Sequence, residues 1–504
     1  MAIEFVAETH RLLQLAVDSY SDEPSCVAHL HRVRSRLTEP VRIAFAGMVK
    51  AGKSTLLNAI LGERLAPAEA GECTRALTIY RFGHAPRITA ELANGDVVTL
   101  PVHAVDSQLD LSLGDAAQAR RILVRWPAEI LRTMTLVDTP GIGSLSGEVS
   151  MRTSTALAQS DAAAEADAVV YLTRRLHETD VRFLQQLAPS DNAIGATINT
   201  IAVLSRADET GAGRIDAMLT AQEIATRLRS DPALFGTVLG VFPVAGLLAQ
   251  GARTLREEDL RTLRELAELD RAARDRMLVS GDRFVRPTAA LTSTAQSRAG
   301  VLQRFGVHGI RVATSMVRGN DTMGVAELAP LLSSQSGLGD LQTAIGRHFV
   351  ERADLLRARS AWRAVTGIAA ARPEVLASAR LLGEVDRLET AAHGLRELSS
   401  LARLIGSSPD IDWDSETVGQ AQRLLGGYGT SAAARLRTPD SADASVLAEK
   451  ARHGVRRWRA SSNAETQRGL QQDISETVCR SAEELLIDAH PSAARGVLRL
   501  ASGN

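Results

Sequence analysis

Apolar residues near the start of the chain recur at helical spacing: Phe5, Leu12, Leu13, Leu15 and Ala16, then Val27, Leu30, Val33 and Leu37. Broken near Asp22–Pro24, this stripe predicts one or two amphipathic helices over residues 4–38, whose apolar faces need a partner surface. From Val41 the pattern changes. A short apolar run, Val41–Ala46, leads into a Gly-rich turn and then a helical stretch, Ser54–Leu61, which predicts strand, loop and helix. The runs Ala76–Phe82, Ile88–Leu92, Val97–Leu100, Met134–Val137, Ala168–Leu172, Thr200–Leu204 and Val238–Pro243 read as further strands, with Asn94-Gly95 as a hairpin turn. Helical patterns lie between most of them. The alternation predicts an α/β domain, a mostly parallel sheet with helices on both faces and one inserted antiparallel hairpin.

That domain is expected to run past Gly309–Val317 to the Ser336-Gly337-Leu338 turn, after which strand signals stop. The remainder is rich in Ala, Leu, Arg and Glu at helical spacing. It divides into helices near 340–371, 374–405, 415–437, 441–461 and 464–488, an all-α bundle into which residues 4–38 are expected to pack. The expected organisation is 1–39 as N-terminal helices, 40–350 as the sheet domain and 351–504 as the bundle.

At 504 residues, two or three domains are the default. With 45% apolar and 23% charged residues the composition is that of a folded globular protein. A net charge of −1 provides no global field toward nucleic acid, which is not expected as a partner. Cys26, Cys73 and Cys479 have no paired spacing for a disulfide framework or a zinc site, which fits a reducing cytosol. The N-terminus lacks a secretory pattern, and no window approaches the roughly 20 apolar residues of a spanning helix, so any membrane contact is expected to be peripheral. Lysine occurs only at Lys50, Lys53 and Lys450.

Two of those lysines lie in Gly47-Met48-Val49-Lys50-Ala51-Gly52-Lys53-Ser54, which fits GxxxxGK[ST] between a strand and a helix. Such a loop turns its backbone N–H groups inward to cradle phosphates, and the helix starting near Thr55 adds its positive end. Lys53 is placed to reach the β and γ phosphates and Ser54 to hold Mg²⁺. Met134–Gly141 is a strand ending in Asp138-Thr139-Pro140-Gly141, with Asp138 on the Mg²⁺ side through a water and the Gly141 N–H toward the γ-phosphate. Thr74, between the two motifs, is the candidate switch threonine on Mg²⁺, with Thr78 the alternative. At the end of a later strand, Ser205-Arg206-Ala207-Asp208 resembles the [NT]KxD signature of GTPases, in which the carboxylate accepts from guanine N1 and N2. It departs from that signature at Ser205 and Arg206, and Arg206 can still lie against a base. Ala245 and Gly246, after the last strand, are expected to offer backbone N–H groups to guanine O6.

GMVKAGKS, ECTRALT, LVDTPGIG and LSRADE, in this order and spacing, resemble the bacterial dynamin-like GTPases over about residues 40–372. The resemblance implies GTP hydrolysis with Mg²⁺, dimerisation through the GTPase domain, and transmission through a helical neck to a membrane-facing tip. The region after Pro373 is short for a full trunk, so either the tip is reduced or a longer partner of the same family supplies insertion. Leu404, Ile405, Ile411 and Trp413 around Pro409 are the tip candidates, and Arg452, Arg456, Arg457 and Arg459 beside Trp458 are a second candidate lipid contact. In the family a small polar residue at the fourth loop position often coordinates a monovalent cation, and in guanylate-binding relatives a cis arginine stands there. Here it is Lys50, while Ile142 occupies the place of the water-orienting glutamine. The alternative to a membrane-remodelling enzyme is a GTP-regulated scaffold. A ribosome-assembly GTPase is disfavoured for want of a basic RNA-binding appendage.

Overall fold

The computed structural model describes residues 2–63, 65–66, 76–92, 94–105, 108–110, 119–139, 166–187, 198–406, 411–463 and 469–489. Two helices open the chain, α1 (Ala2–Ser19) and α2 (Pro24–Arg36). A nine-stranded sheet follows: β1 (Val41–Gly47), β2 (Leu77–Phe82), β3 (Arg87–Leu92), β4 (Val97–Leu100), β5 (Ala119–Trp126), β6 (Met134–Asp138), β7 (Ala168–Thr173), β8 (Thr200–Ser205) and β9 (Val241–Val244). The spatial order is β9-β8-β7-β1-β6-β2-β5-β3-β4. Strands β9, β8, β7, β1 and β6 run parallel, as does β2 with β5, whereas β2 meets β6 antiparallel and β3 pairs antiparallel with both β4 and β5. The sheet is therefore more mixed than a parallel sheet with one inserted hairpin.

Strand β5 was not legible from hydrophobic periodicity. In Ala-Arg-Arg-Ile-Leu-Val-Arg-Trp only Ile122 and Val124 are buried, and the arginines around them give the run a polar look. The strands expected from the sequence end with Val238–Pro243, and the chain beyond β9 continues in helices. Gly309–Val317 lies inside a helix, because Ile310, Ala313, Thr314 and Val317 are buried together at helical spacing. The last strand of the main sheet ends at Val244; helices α3 (Lys53–Leu61) and α4 (Ala217–Arg229) pack on the sheet, and α5 (Gly246–Arg253), α6 (Glu257–Glu268), α7 (Ala295–Gly319) and α8 (Val325–Ser334) join in a core of their own. The Ser336–Leu338 turn still belongs to the sheet's edge. The Ala245 N–H donates to Ser336 O at 2.9 Å, and a Cβ on Gly337, where φ is +73°, would lie 2.2 Å from Pro243 O.

From that turn the chain enters α9 (Leu338–Ile345), a π turn at Gly346–Val350, and α10 (Ala353–Ala370). Helix α10 carries the N-terminal pair. Trp362 is fully buried and its Nε1–H donates to Thr9 Oγ1 at 3.0 Å, while the Tyr20 hydroxyl lies 2.9 Å from Ser378 Oγ on α11 (Leu376–Ala391). Leu13 and Leu30 join one apolar core that runs through α10 to Val41 and Ile43 of β1. Where β1 begins, Glu39 accepts from Arg42 at 2.8 Å and from Arg81 at 2.6 Å, and Arg357 of α10 bonds the Glu39 carbonyl. Asp167 accepts the Arg42 N–H at 2.9 Å and pairs with Arg36.

A separate core holds α12 (His393–Ile405), α13 (Ser415–Leu424), α14 (Ala444–Ser462) and α15 (Leu470–Ala489) together. The apolar tip candidates belong to it. Leu404 is 3% exposed, Ile405, Ile411 and Trp413 pack on the same core, and the Trp413 ring meets Trp458 edge-on at 5.1 Å. These four form no exposed apolar patch, because the apolar stripe of α12, Ile411 and Trp413 face this core. Nor does Trp458, 1% exposed, stand beside the Arg cluster as a lipid anchor. Arg459 pairs with Glu483 at 2.5 Å and Arg457 donates to Thr417 at 2.9 Å.

Inside this bundle Ser481 Oγ–H donates to Glu397 at 2.6 Å, Arg435 binds the same carboxylate, and His393 Nε2 lies 2.9 Å from Ser481 Oγ. Burial, with help from the Glu397 charge, pushes the Glu484 carboxyl up from 4.5 to about 7. Burial pushes His393 down from 6.5 to about 4. Their effects on stability oppose each other. A carboxyl raised on folding stabilises the fold below its unfolded pKa, and that contribution is lost as pH climbs from about 4.5 to about 7. A histidine lowered on folding adds stability as pH climbs from about 4 through 6.5. Glu484→Gln removes the first effect, so urea midpoints of the variant are expected to rise more steeply with pH across this window than those of the native protein.

Candidate nucleotide site

Strands β9, β8, β7, β1 and β6 deliver their C-terminal ends to one edge, and β1 stands between β6 and β7 where the crossovers diverge. Ligands of open α/β sheets bind at such a point. Strand β1 is buried at every position and ends at Gly47, which registers against Leu172 of β7. A Cβ at Gly47 would sit 2.3 Å from Leu172 O, and φ there is +149°, so only glycine lets the loop leave the sheet. Lys50 at φ 64° and Gly52 at φ 92° are also left-handed. Gly52 caps α3 without a side-chain partner, which leaves the N–H groups of Lys53, Ser54 and Thr55 at an open helix start. Met48, Val49 and Lys50 are exposed and Ala51 is buried.

Lys53 Nζ donates to Gly47 O at 3.2 Å and Met48 O at 3.4 Å. Its ammonium is held below the ordinary lysine pKa by burial, against the opposing charge of Asp138. Asp138 registers with Phe45 of β1, and Thr139 locks this end by donating from Oγ1 to Phe45 O at 2.9 Å. Burial pushes the Asp138 carboxyl up to about 6, Lys53 working against it, and Asp138 Oδ1 is enclosed without a hydrogen-bond partner. The enclosed Asp138 oxygen and the Ser54 hydroxyl at the start of α3 are oxygen donors of the kind a hard divalent cation such as Mg²⁺ takes. Thr74 and Gly141 lie outside the described residues. Thr78 lies within β2, buried and in register with Asp138.

Beside the loop is a cavity of about 190 Å³, and Gly52, Thr55, Arg206, Asp208 and Gly246 all line it. Arg206 adopts φ 51° and reaches Lys50 O through Nη2 at 3.2 Å and Glu209 through Nη1 at 2.9 Å, tying this strand end to the phosphate loop. Burial raises the Asp208 carboxyl above the ordinary aspartate value, its own backbone N–H and the neighbouring His308 opposing the rise. Ala245 differs from expectation, since its N–H is spent on Ser336 O and it does not line the cavity. Gly246 and Leu247, in the first turn of α5, take its place. Leu172, Val203, Val244, Leu247 and Glu209 also line the cavity and were not singled out from sequence, although each adjoins a recognised strand end or motif.

Residues 43–207 match the Dynamin family, to which the chain belongs. It is a bacterial dynamin-like protein similar to isoniazid-induced protein IniC of Mycobacterium tuberculosis, 37% identical over 452 residues that cover 88% of this chain and 89% of IniC. Isoniazid-induced protein IniA of the same organism is 29% identical over 37% of this chain and 30% of its own. A bacterial dynamin-like protein of Nostoc punctiforme is 35% identical over 27% of this chain and 22% of its own. Membership of the family implies a GTPase in general.

Gly47→Ala tests the close approach of the loop to β7. The variant is expected to lose at least about 2 kcal/mol of stability together with nucleotide binding, since both strain and overlap apply. Gly95→Ala, where φ is +90° but nothing lies within 4 Å, is the comparison, expected to cost about 1 kcal/mol with binding intact. Thermal melts and a fluorescent GTP analogue read both.

Proposed function

We propose that the chain binds and hydrolyses GTP with Mg²⁺, coupling nucleotide-dependent self-association through its GTPase domain to peripheral membrane binding and remodelling at the inner face of the cell membrane. The observation that carries the nucleotide part is the cavity in which Asp208 lies beside the open start of α3. Its carboxylate would accept from guanine N1 and N2, donors that adenine lacks, while the first turn of α5 would offer Gly246 N–H to O6. Lys53 would exchange its two loop carbonyls for the β and γ phosphates. Ser54 and, through water, Asp138 would hold Mg²⁺, which supplies positive charge against the phosphates. Thr74 and Gly141 would close on the γ-phosphate. Lys50 is exposed at the fourth loop position, and its ammonium would provide a cis charge where Ile142 cannot orient water.

Membrane action rests on the family alone. The burial of Leu404 and the packing of Trp413 against Trp458 favour a second reading, a GTP-regulated scaffold or a partner subunit of a longer dynamin-like protein. Turnover with and without anionic liposomes, followed by sedimentation, separates them. Stimulation supports remodelling, and tight GTP binding with negligible turnover supports the scaffold.

Asp208→Asn is expected to weaken GTP binding strongly, by several kcal/mol or of order 10⁴-fold at most. Equal affinity of the native protein for ATP and GTP would overturn the guanine assignment. Lys50→Ala is expected to lower kcat by roughly 10²–10³ with GTP affinity changing much less. Native turnover is expected to be indifferent to K⁺ or Na⁺, and a clear dependence on either would sink the cis-charge role.

A further inference from the structure

The segment that carries Asp208 is conformationally unfavourable by itself. Thr210 is extended, and Gly211, Ala212 and Gly213 follow at φ 57°, 61° and 66°, three left-handed residues in succession with an alanine at the centre. A Cβ in that conformation is disfavoured, so the segment needs outside contacts to keep one shape. Helix α7 supplies them. His308, 2% exposed, donates from Nδ1 to Arg214 O at 2.8 Å, the proton being on Nδ1 because a carbonyl only accepts. Arg311 donates from Nη1 to Gly213 O at 2.5 Å and Ala212 O at 3.5 Å, and from Nη2 to Leu278 O at 2.7 Å. Three consecutive carbonyls of the segment are thus held from one helix face.

The same helix breaks its regular path at Gly306, with φ 63° and ψ 176°. A Cβ there would lie 3.3 Å from the Leu247 side chain, which lines the base cavity, and 3.9 Å from Asp208 Oδ2. The break brings helix backbone close to the Asp208 carboxylate and turns His308 and Arg311 toward the segment that follows it.

Resting on the guanine reading above, we infer that Arg311 and His308 are positioning residues for base recognition. By clamping 212–214 from α7 they fix the Asp208 carboxylate so that both of its oxygens meet the two donors of guanine. The clamp matters most for a base offering both donors. Hypoxanthine keeps N1–H and lacks the exocyclic amino group, so it gains less from an exactly aimed carboxylate. Loosening the clamp should therefore cost GTP more affinity than ITP. A general loss of folded protein would lower both equally.

The test is the ratio of ITP to GTP dissociation constants, with ATP as the outer reference, in the native protein, Arg311→Ala, Arg311→Lys, His308→Ala and His308→Asn. Arg311→Ala is expected to reduce the GTP preference over ITP by roughly tenfold or more, the weight of one hydrogen bond to a charged acceptor. Arg311→Lys, which lacks the planar fork needed to span Gly213 O and Leu278 O, should recover part of it. His308→Asn, whose amide N–H can replace Nδ1–H, should retain more preference than His308→Ala. Hydrogen exchange of residues 207–216 without nucleotide should be faster in Arg311→Ala, and Arg311→Lys provides the same readings should the alanine variant fail to fold. A native protein that binds GTP, ITP and ATP alike overturns the guanine reading and this inference with it. Native discrimination that every clamp variant retains in full overturns the inference alone.

Discussion

A phosphate cradle built from backbone N–H groups demands that the chain turn left-handed where side chains resist it. Here that requirement falls on Gly47, Lys50 and Gly52, and much of the surrounding structure acts to hold it. Strand β1 is buried along its whole length, its last residue lies against the β7 backbone, and Arg206 reaches across to the carbonyl of Lys50. The only non-glycine of the three, Lys50, has its carbonyl bonded by the Arg206 side chain. The chemistry of the site is thus first a matter of conformational restraint, with charge added on top.

The far end of β1 is restrained as firmly. Glu39 gathers Arg42 and Arg81, Asp167 gathers Arg36 and the Arg42 N–H, and Arg357 fastens α10 to the same place. One strand therefore connects the nucleotide loop to the root of the helical region, and the core that covers it continues into α1, α2 and α10. Arginine suits this role. Burial pushes Arg352 down to about 10 and Arg359 down to about 9, yet both stay charged at neutral pH, and Arg352 spreads its fork over the carbonyls of Arg347, Leu425 and Gly426.

What could be read from the sequence followed the range of the forces involved. The β1-loop-α3 unit, the Asn94-Gly95 hairpin and the strands ending at Asp138 and Ser205 were legible because local periodicity and turn chemistry fix them. Strand β5 was hidden by the arginines that flank its two buried residues, Arg121 before Ile122 and Arg125 after Val124. Of the residues picked out by motif, Gly52, Thr55, Arg206, Asp208 and Gly246 line one cavity. Ala245 failed because its N–H has a partner ninety-one positions away in sequence, at Ser336, and no local pattern records such a bond. Leu404 and Trp413 failed for a similar reason, since an apolar stripe shows that a face is covered but not what covers it.

The scarcity of lysine has a practical side. Side-chain amines are confined to Lys50, Lys53 and Lys450, and the structure places them in three different settings. Lys50 is open to solvent, Lys53 is half-buried with its ammonium pKa lowered, and Lys450 is exposed on α14, remote in sequence from the loop. Only the free amine attacks an acylating reagent, so such a reagent meets an accessible address, a shielded but more readily deprotonated one, and an internal standard. A peptide map of acylation would then report the occupancy of the phosphate loop against its own reference, in unmodified full-length protein and without a fluorescent nucleotide.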